Sequence, residues 1–326
     1  MLVEPDAQDA AEDRTELLDR MRAVLERVEV EPPPADVLRH PAAVEAVHTA
    51  GRLWSGPLEP DRRQTLADLF AELPAAAFGP AEPRGHLRRS VARALRAVPA
   101  RTGPDGLPVA VEVAEWRAAE RETLAEAVAL LTRVWPESAA ETEQTVAEIA
   151  LLDGNAIDGF TDFTVHGAVL INRVRLQPSP TGLPGPVRFA EALVHEGAHT
   201  RCNAAALTGA FLLPDGSWTT NGSGTSSSSP SHTSSASSGE LLVATPLRAD
   251  PRPLTGLFQQ AVVLARSVHF YRRLSGLESA AVDARRQRLL DSGRQAVDTL
   301  AAHAGALTGR GREVLEQCAD VVRAQA

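Results

Sequence analysis

Lysine is absent from this 326-residue chain: all 33 basic residues are arginine, set against 42 acidic ones for a net charge of −9. A chain with that balance and no basic tail is a poor match to a phosphate backbone, which argues against nucleic acid as a partner. Cysteine is scarce as well. Cys202 and Cys318 cannot staple a fold of this length, and neither sits in a CxxC pair. The expectation is two free thiols in a reducing, cytoplasmic compartment. No apolar run approaches the roughly 18 residues that a membrane helix needs. The acidic start MLVEPDAQDAAEDR lacks the basic-then-apolar order of a secretory signal. Aromatic residues make up only 4%, although apolar residues overall reach 44%. The core must therefore be built from Ala, Leu and Val, which suits helices better than a β-sandwich.

What is present begins as helices punctuated by proline. Leu17, Leu18, Met21, Val24, Leu25 and Val28 recur at helical spacing, and Pro32, Pro33 and Pro34 stop that element. Further helical stretches are predicted over 41–54, 63–73, 84–97 and 113–134. His40, His48 and His86 stand among arginines and alanines and read as packing or surface histidines. Near residue 155 the texture changes. The stretch 159–172 is β-branched and partly alternating, and predicts a strand pair turning at His166 and Gly167. A helix over 187–206 follows. The serine-dominated segment 222–239 is too polar to offset its ordering entropy and reads as a flexible surface loop. A further loop over 244–253 leads to helices predicted at 254–274, 277–302 and 309–324.

One motif carries chemistry: His195-Glu196-Gly197-Ala198-His199, an HExxH within an apolar helix. Residues at i and i+4 share a helix face, so both imidazoles can address one divalent ion. Glu196 can then attend to a metal-bound water or a substrate. The alternative is a helix whose histidines merely hydrogen-bond in a polar crevice. The third ligand is not evident. The metzincin extension needs Gly and His where this chain has Cys202 and Ala205, and the stretch 202–274 offers only Asp215, Glu240 and Asp250 as acids. Asp215 sits in Pro214-Asp215-Gly216, an ordinary turn signal. Cys202 shares the face of the two histidines but lies a turn beyond them, as a packed cysteine would.

The segment Ala190-Glu191-Ala192-Leu193-Val194-His195-Glu196-Gly197-Ala198-His199 resembles the motif of the HExxH-type peptide-modifying proteins, regarded as 2-oxoglutarate-dependent peptide β-hydroxylases. A second block, Thr245-Pro246-Leu247-Arg248-Ala249-Asp250-Pro251-Arg252-Pro253-Leu254, is similar to that family's Ser-Pro-Trp-Arg-x-Asp-Pro-Arg-Pro-Leu stretch. The likeness covers about residues 150–275. It implies Fe(II) bound by His195 and His199, with Glu196 catalytic, open positions for 2-oxoglutarate and O₂, and a peptide or protein substrate. It also implies an arginine fork for the cosubstrate's distal carboxylate, for which Arg252 and Arg248 are the candidates. Where the family reads Leu-His-Gly, this chain has Phe258-Gln259-Gln260, so Gln259 would offer an amide as third metal ligand. His166, His269, Asp215 or a water could substitute. His269 is about 15 Å further along its helix, a poor position for the role.

Three readings follow. The first is an Fe(II)/2-oxoglutarate-dependent peptide hydroxylase. The second is a zinc peptidase with Glu196 as general base, and the third a non-catalytic peptide-binding relative. The fold expected is a mainly helical α+β architecture. An N-terminal helical region (1–105) would precede an HExxH metal-binding domain with a small sheet (106–326).

Overall fold

The structure, a computed structural model, describes residues 3–54, 56–97, 109–214, 241–246, 248–274, 276–277 and 279–324, the side chains of 248–250 excepted. The expected boundary near residue 105, the serine-rich loop at 222–239 and Asp215 lie outside the described residues, as does the side chain of Arg248. The fold is mainly helical α+β, with eleven α-helices and seven short strands among the described residues.

Helix α1 (Ala7–Arg27) starts where the Asp6 carboxylate accepts hydrogen bonds from the backbone N–H groups of Gln8 and Asp9, satisfying donors that the first turn leaves open. Then come α2 (Ala35–Leu38), α3 (Pro41–Leu53), α4 (Pro60–Glu72), strand β1 (Gly79–Ala81) and α5 (Gly85–Ala97). Leu17, Leu18, Met21 and Leu25 of α1 pack with Val44 and Val47 of α3 and Phe70 of α4 into one apolar cluster. Strand β2 (Val111–Ala114), α6 (Ala118–Val134), α7 (Pro136–Thr145), β3 (Glu148–Gly154), β4 (Gly159–Thr161) and β5 (Ala168–Asn172) follow.

Strand β3 is the centre of the sheet. It pairs in parallel with β1 and β5 and antiparallel with β2, and β4 closes one edge antiparallel to β5. Its side chains alternate between two covered faces, as the pleat requires. Ile149 and Leu151 enter the main core, while Ala150 and Leu152 pack with Leu87 and Val91 of α5. Burial on both faces explains why 148–152 shows no polar alternation and escaped prediction. The expected pair at 159–172 is present as β4 and β5, with a 3₁₀ turn at Phe163–Val165 between them. The segment expected to be helical from 113 instead begins as β2, and α6 starts only at Ala118.

Helix α8 (Gly185–Thr208) runs through the main core, followed by β6 (Leu242–Thr245), β7 (Arg248–Pro253), α9 (Leu254–Arg272), α10 (Ala280–Ala302) and α11 (Gly309–Arg323). The segment read as a loop over 244–253 is thus largely a hairpin, with Val243 opposite Arg252. Its prolines hid it, but a two-stranded ribbon has only edges, where a missing N–H costs little. Helices α8 and α9 are buried around most of their circumference, and α9 packs against α8 and against α10.

A charged knot ties this bundle to the N-terminus. Arg201 of α8 pairs with Asp13 of α1, and Arg266 of α9 pairs with Glu141 of α7. All four side chains are almost fully buried. No helix among the described residues is long and apolar enough to cross a membrane.

Candidate functional site

The alanine- and leucine-rich sequence of α8 favours helix, and four of its polar residues form a stripe of period four: Glu191, His195, His199 and Asn203. That stripe, with Ala192 and Glu196 beside it, lines a cleft of about 930 Å³. The facing walls come from β4 (Gly159, Phe160 and Thr161), the β6–β7 hairpin (Thr245, Arg252 and Pro253) and α9 (Gly256, Gln259 and Gln260). Of the residues singled out in the sequence, His195, Glu196, His199, Gln259 and Arg252 therefore meet in one cavity.

The two imidazoles lie with ring centroids 5.2 Å apart. His195 exposes 32% of its side chain, and its Nε2 stands 4.0 Å from Glu196 Oε1. Burial, with His199, Arg175 and Arg285 nearby, holds the His195 ring well below the ordinary histidine range, so it is neutral at pH 7. Glu196 is 4% exposed. Burial pushes its carboxyl up to about 8, with Arg175 opposing the shift. Its Oε2 is buried with no hydrogen-bond partner, and its Oε1 lies under β4, where a Cβ on Gly159 would come within 2.7 Å.

His199 Nδ1 is 2.9 Å from Gln259 Oε1, and Gln259 Nε2 donates to Asn203 Oδ1 at 2.9 Å. Gln259 thus stands behind His199, on the nitrogen that would not face a metal bound through Nε2. Cys202 is buried in the core, and burial pushes its thiol up to about 12, the behaviour of a packing residue. His166 lies away from the cleft among α1, α3 and α7 residues. His269 pairs with Glu4 at 3.1 Å. Neither substitutes for Gln259.

Several cleft residues went unrecognised in the sequence. Glu191 accepts hydrogen bonds from Tyr271 Oη (2.7 Å) and Arg285 Nε (3.0 Å). Arg175 Nε donates to Asp158 at 3.1 Å, and Arg93 Nε to Asp162 at 2.8 Å. The period-four stripe would have flagged Glu191 and Asn203. Arg93, Arg175 and Arg285 come from three separate elements and carry no local signal. The walls hold four arginines (93, 175, 252 and 285) against Asp158, Asp162 and Glu191, a surplus of positive charge with Glu196 protonated. Buried polar atoms without a hydrogen-bond partner concentrate here: Arg93 Nη2, Glu196 Oε2, Thr245 Oγ1 and Gln260 Oε1 all belong to lining residues. Such atoms are costly unless something fills the cleft and satisfies them.

Two imidazoles on one face suit a divalent transition metal and leave most of its coordination sphere to other ligands. The donor set fits such an ion in that respect. Among the described residues, no group of three or more His, Cys, Asp and Glu is arranged to hold one. No protein-family profile matches the chain, and no curated protein matches it.

Proposed function

We propose that the cleft binds a divalent metal through His195 and His199 and serves an Fe(II)- and 2-oxoglutarate-dependent hydroxylase that acts on a peptide or protein in the cytoplasm. The observation that carries this reading is the conjunction of two adjacent imidazoles, a buried carboxyl beside the first of them and an arginine-rich wall in one polar cleft. Bound iron would activate O₂, the oxidant, which takes two electrons from 2-oxoglutarate as that cosubstrate is decarboxylated to succinate and two from the hydroxylated substrate.

The chain's own residues have distinct tasks. His195 and His199 present their ring nitrogens to the metal. Arg252 takes the distal carboxylate of the cosubstrate, a role matched to its forked donors. Glu196 holds a proton beside the reacting centre. The terminal strand β4 lines the cleft with all three of its residues. Main-chain groups at such an edge can pair with an extended peptide, which supports a peptide substrate. The net charge of −9 makes nucleic acid a poor occupant, and two buried free cysteines suit a reducing compartment.

A zinc peptidase draws less support, because it needs Glu196 ionised as its base and burial pushes that carboxyl up to about 8. The described residues also supply two histidine ligands where a catalytic zinc or a two-histidine-one-carboxylate iron site takes three. The same shortfall favours a second reading, a peptide-binding protein that holds no metal. Metal analysis of the purified chain, followed by succinate formation from 2-oxoglutarate with Fe(II), separates them. Stoichiometric iron binding with succinate release supports the oxygenase. Tightly held zinc with peptide cleavage, or no metal uptake at all, overturns it.

A further inference from the structure

Gln259 reaches from α9 across to α8 and joins two residues one helical turn apart. Its Oε1 faces His199 Nδ1 and its Nε2 faces Asn203 Oδ1, both at 2.9 Å. The second contact determines the sense of the first. An amide that donates through Nε2 to Asn203 must turn its acceptor oxygen toward His199, and an acceptor opposite Nδ1 calls for a proton there. A neutral imidazole carries one N–H, so its lone pair then lies on Nε2.

We propose that Gln259 and Asn203 are positioning residues, a relay that locks His199 in the Nδ1–H tautomer and so makes Nε2 its metal-donating atom. Outer-sphere hydrogen bonds of this kind set the tautomer and ring orientation of metal-bound histidines. The residue that stands where a third ligand was anticipated would act one bond further out, through His199. The assignment makes use of two packed helices. Asn203 follows His199 by four residues, so both project from one face of α8, and α9 supplies the amide that bridges them. The consequence for metal binding rests on the reading of His199 as a ligand; the tautomer itself does not.

The test uses the metal-free full chain at pH 8. Long-range proton–nitrogen correlation of the imidazoles, with His199 assigned by its loss in His199→Asn, reports which nitrogen carries the proton. The wild-type chain should show Nδ1–H at His199. Gln259→Met, which keeps the volume and removes the amide, should shift it toward Nε2–H. Asn203→Ala should do so as well, by releasing the amide to rotate. Each variant should also bind Co(II) some 10- to 100-fold more weakly with unchanged helical circular dichroism. An Nε2–H ring in the wild type, as would follow if Gln259 donated to Nδ1, overturns the relay. So does a tautomer unmoved in both variants, even if Co(II) binds normally. A tautomer that shifts as described in a chain that takes up no Co(II) upholds the relay and refutes the metal reading instead.

Discussion

His195 and His199 share a helix face but are held differently. His195 has the open cleft before it and cationic neighbours around it, whereas His199 is braced from behind by Gln259. Replacing His195 with alanine should abolish metal uptake while leaving far-ultraviolet circular dichroism nearly unchanged, because the ring lines an open cleft and its loss leaves the helix backbone in place. Unchanged metal content in that variant would exclude His195 as a ligand. Glu196 is sensitive through its roof. A methyl group at Gly159 would sit 2.7 Å from its Oε1, and the end of a side chain can move aside at small cost. Gly159→Ala should therefore fold normally, shift its melting temperature little, and lose most activity as the carboxyl is displaced; full activity would show that the carboxyl position is not critical. His166 contributes to acid instability, as do the other histidines whose pKa burial lowers. Burial lowers its pKa from 6.5 to about 4, so between those values the unfolded chain binds a proton that the folded chain refuses. The fold carries no penalty from this group above pH 6.5. It loses about 1.4 kcal/mol per pH unit as the pH falls toward 4, about 3 kcal/mol in all. Urea titrations across pH 7 to 4 should show this slope flattened in His166→Phe.

At the scale of elements, the cleft depends on how α8 is anchored at both sides. On the face away from the cleft, Arg201 is fully buried against Asp13, and Glu141 lies between Arg201 and Arg266. Removing one member of such a set strands the opposite charge in the core, at a cost of about 3–5 kcal/mol. Glu141→Ala should lower the urea midpoint accordingly, with loss of cooperative unfolding as the extreme outcome. A drop below 1 kcal/mol would mean that water reaches the pair. On the cleft side, the hairpin of β6 and β7 presents Arg252. A charge-assisted hydrogen bond is worth about 1.5–3 kcal/mol, so Arg252→Gln should raise the apparent KM for 2-oxoglutarate about 10- to 100-fold. An unchanged KM would move the carboxylate to Arg175, Arg285 or Arg93.

At the scale of the molecule, the cleft is an assembly of chain-distant parts: Arg93 on α5, β4 at the edge of the sheet, α8, the hairpin, α9 and Arg285 on α10. Most of the helices, though not α2 or α7, were legible in the sequence because their signals are local. Apolar residues at 3.6-residue spacing, prolines at first turns and stops such as Pro32 to Pro34 act within a few residues. For the same reason the shared face of His195 and His199 could be read directly from an interval of four. Strand β3 was hidden because burial on both faces erases alternation, and the hairpin because its prolines mimic a loop. The histidines at 40 and 86 looked solitary, yet both contact Glu148 (3.3 and 2.6 Å), a residue of β3 that lies 62 positions beyond the nearer of them. The sequence by itself determined the helical class and the spacing of the reactive side chains, since backbone geometry alone places them. Only the tertiary structure decided that Gln259 stands behind His199 and that three further arginines surround the site. Those neighbours are set by helix and sheet packing over long separations, and no local periodicity encodes them.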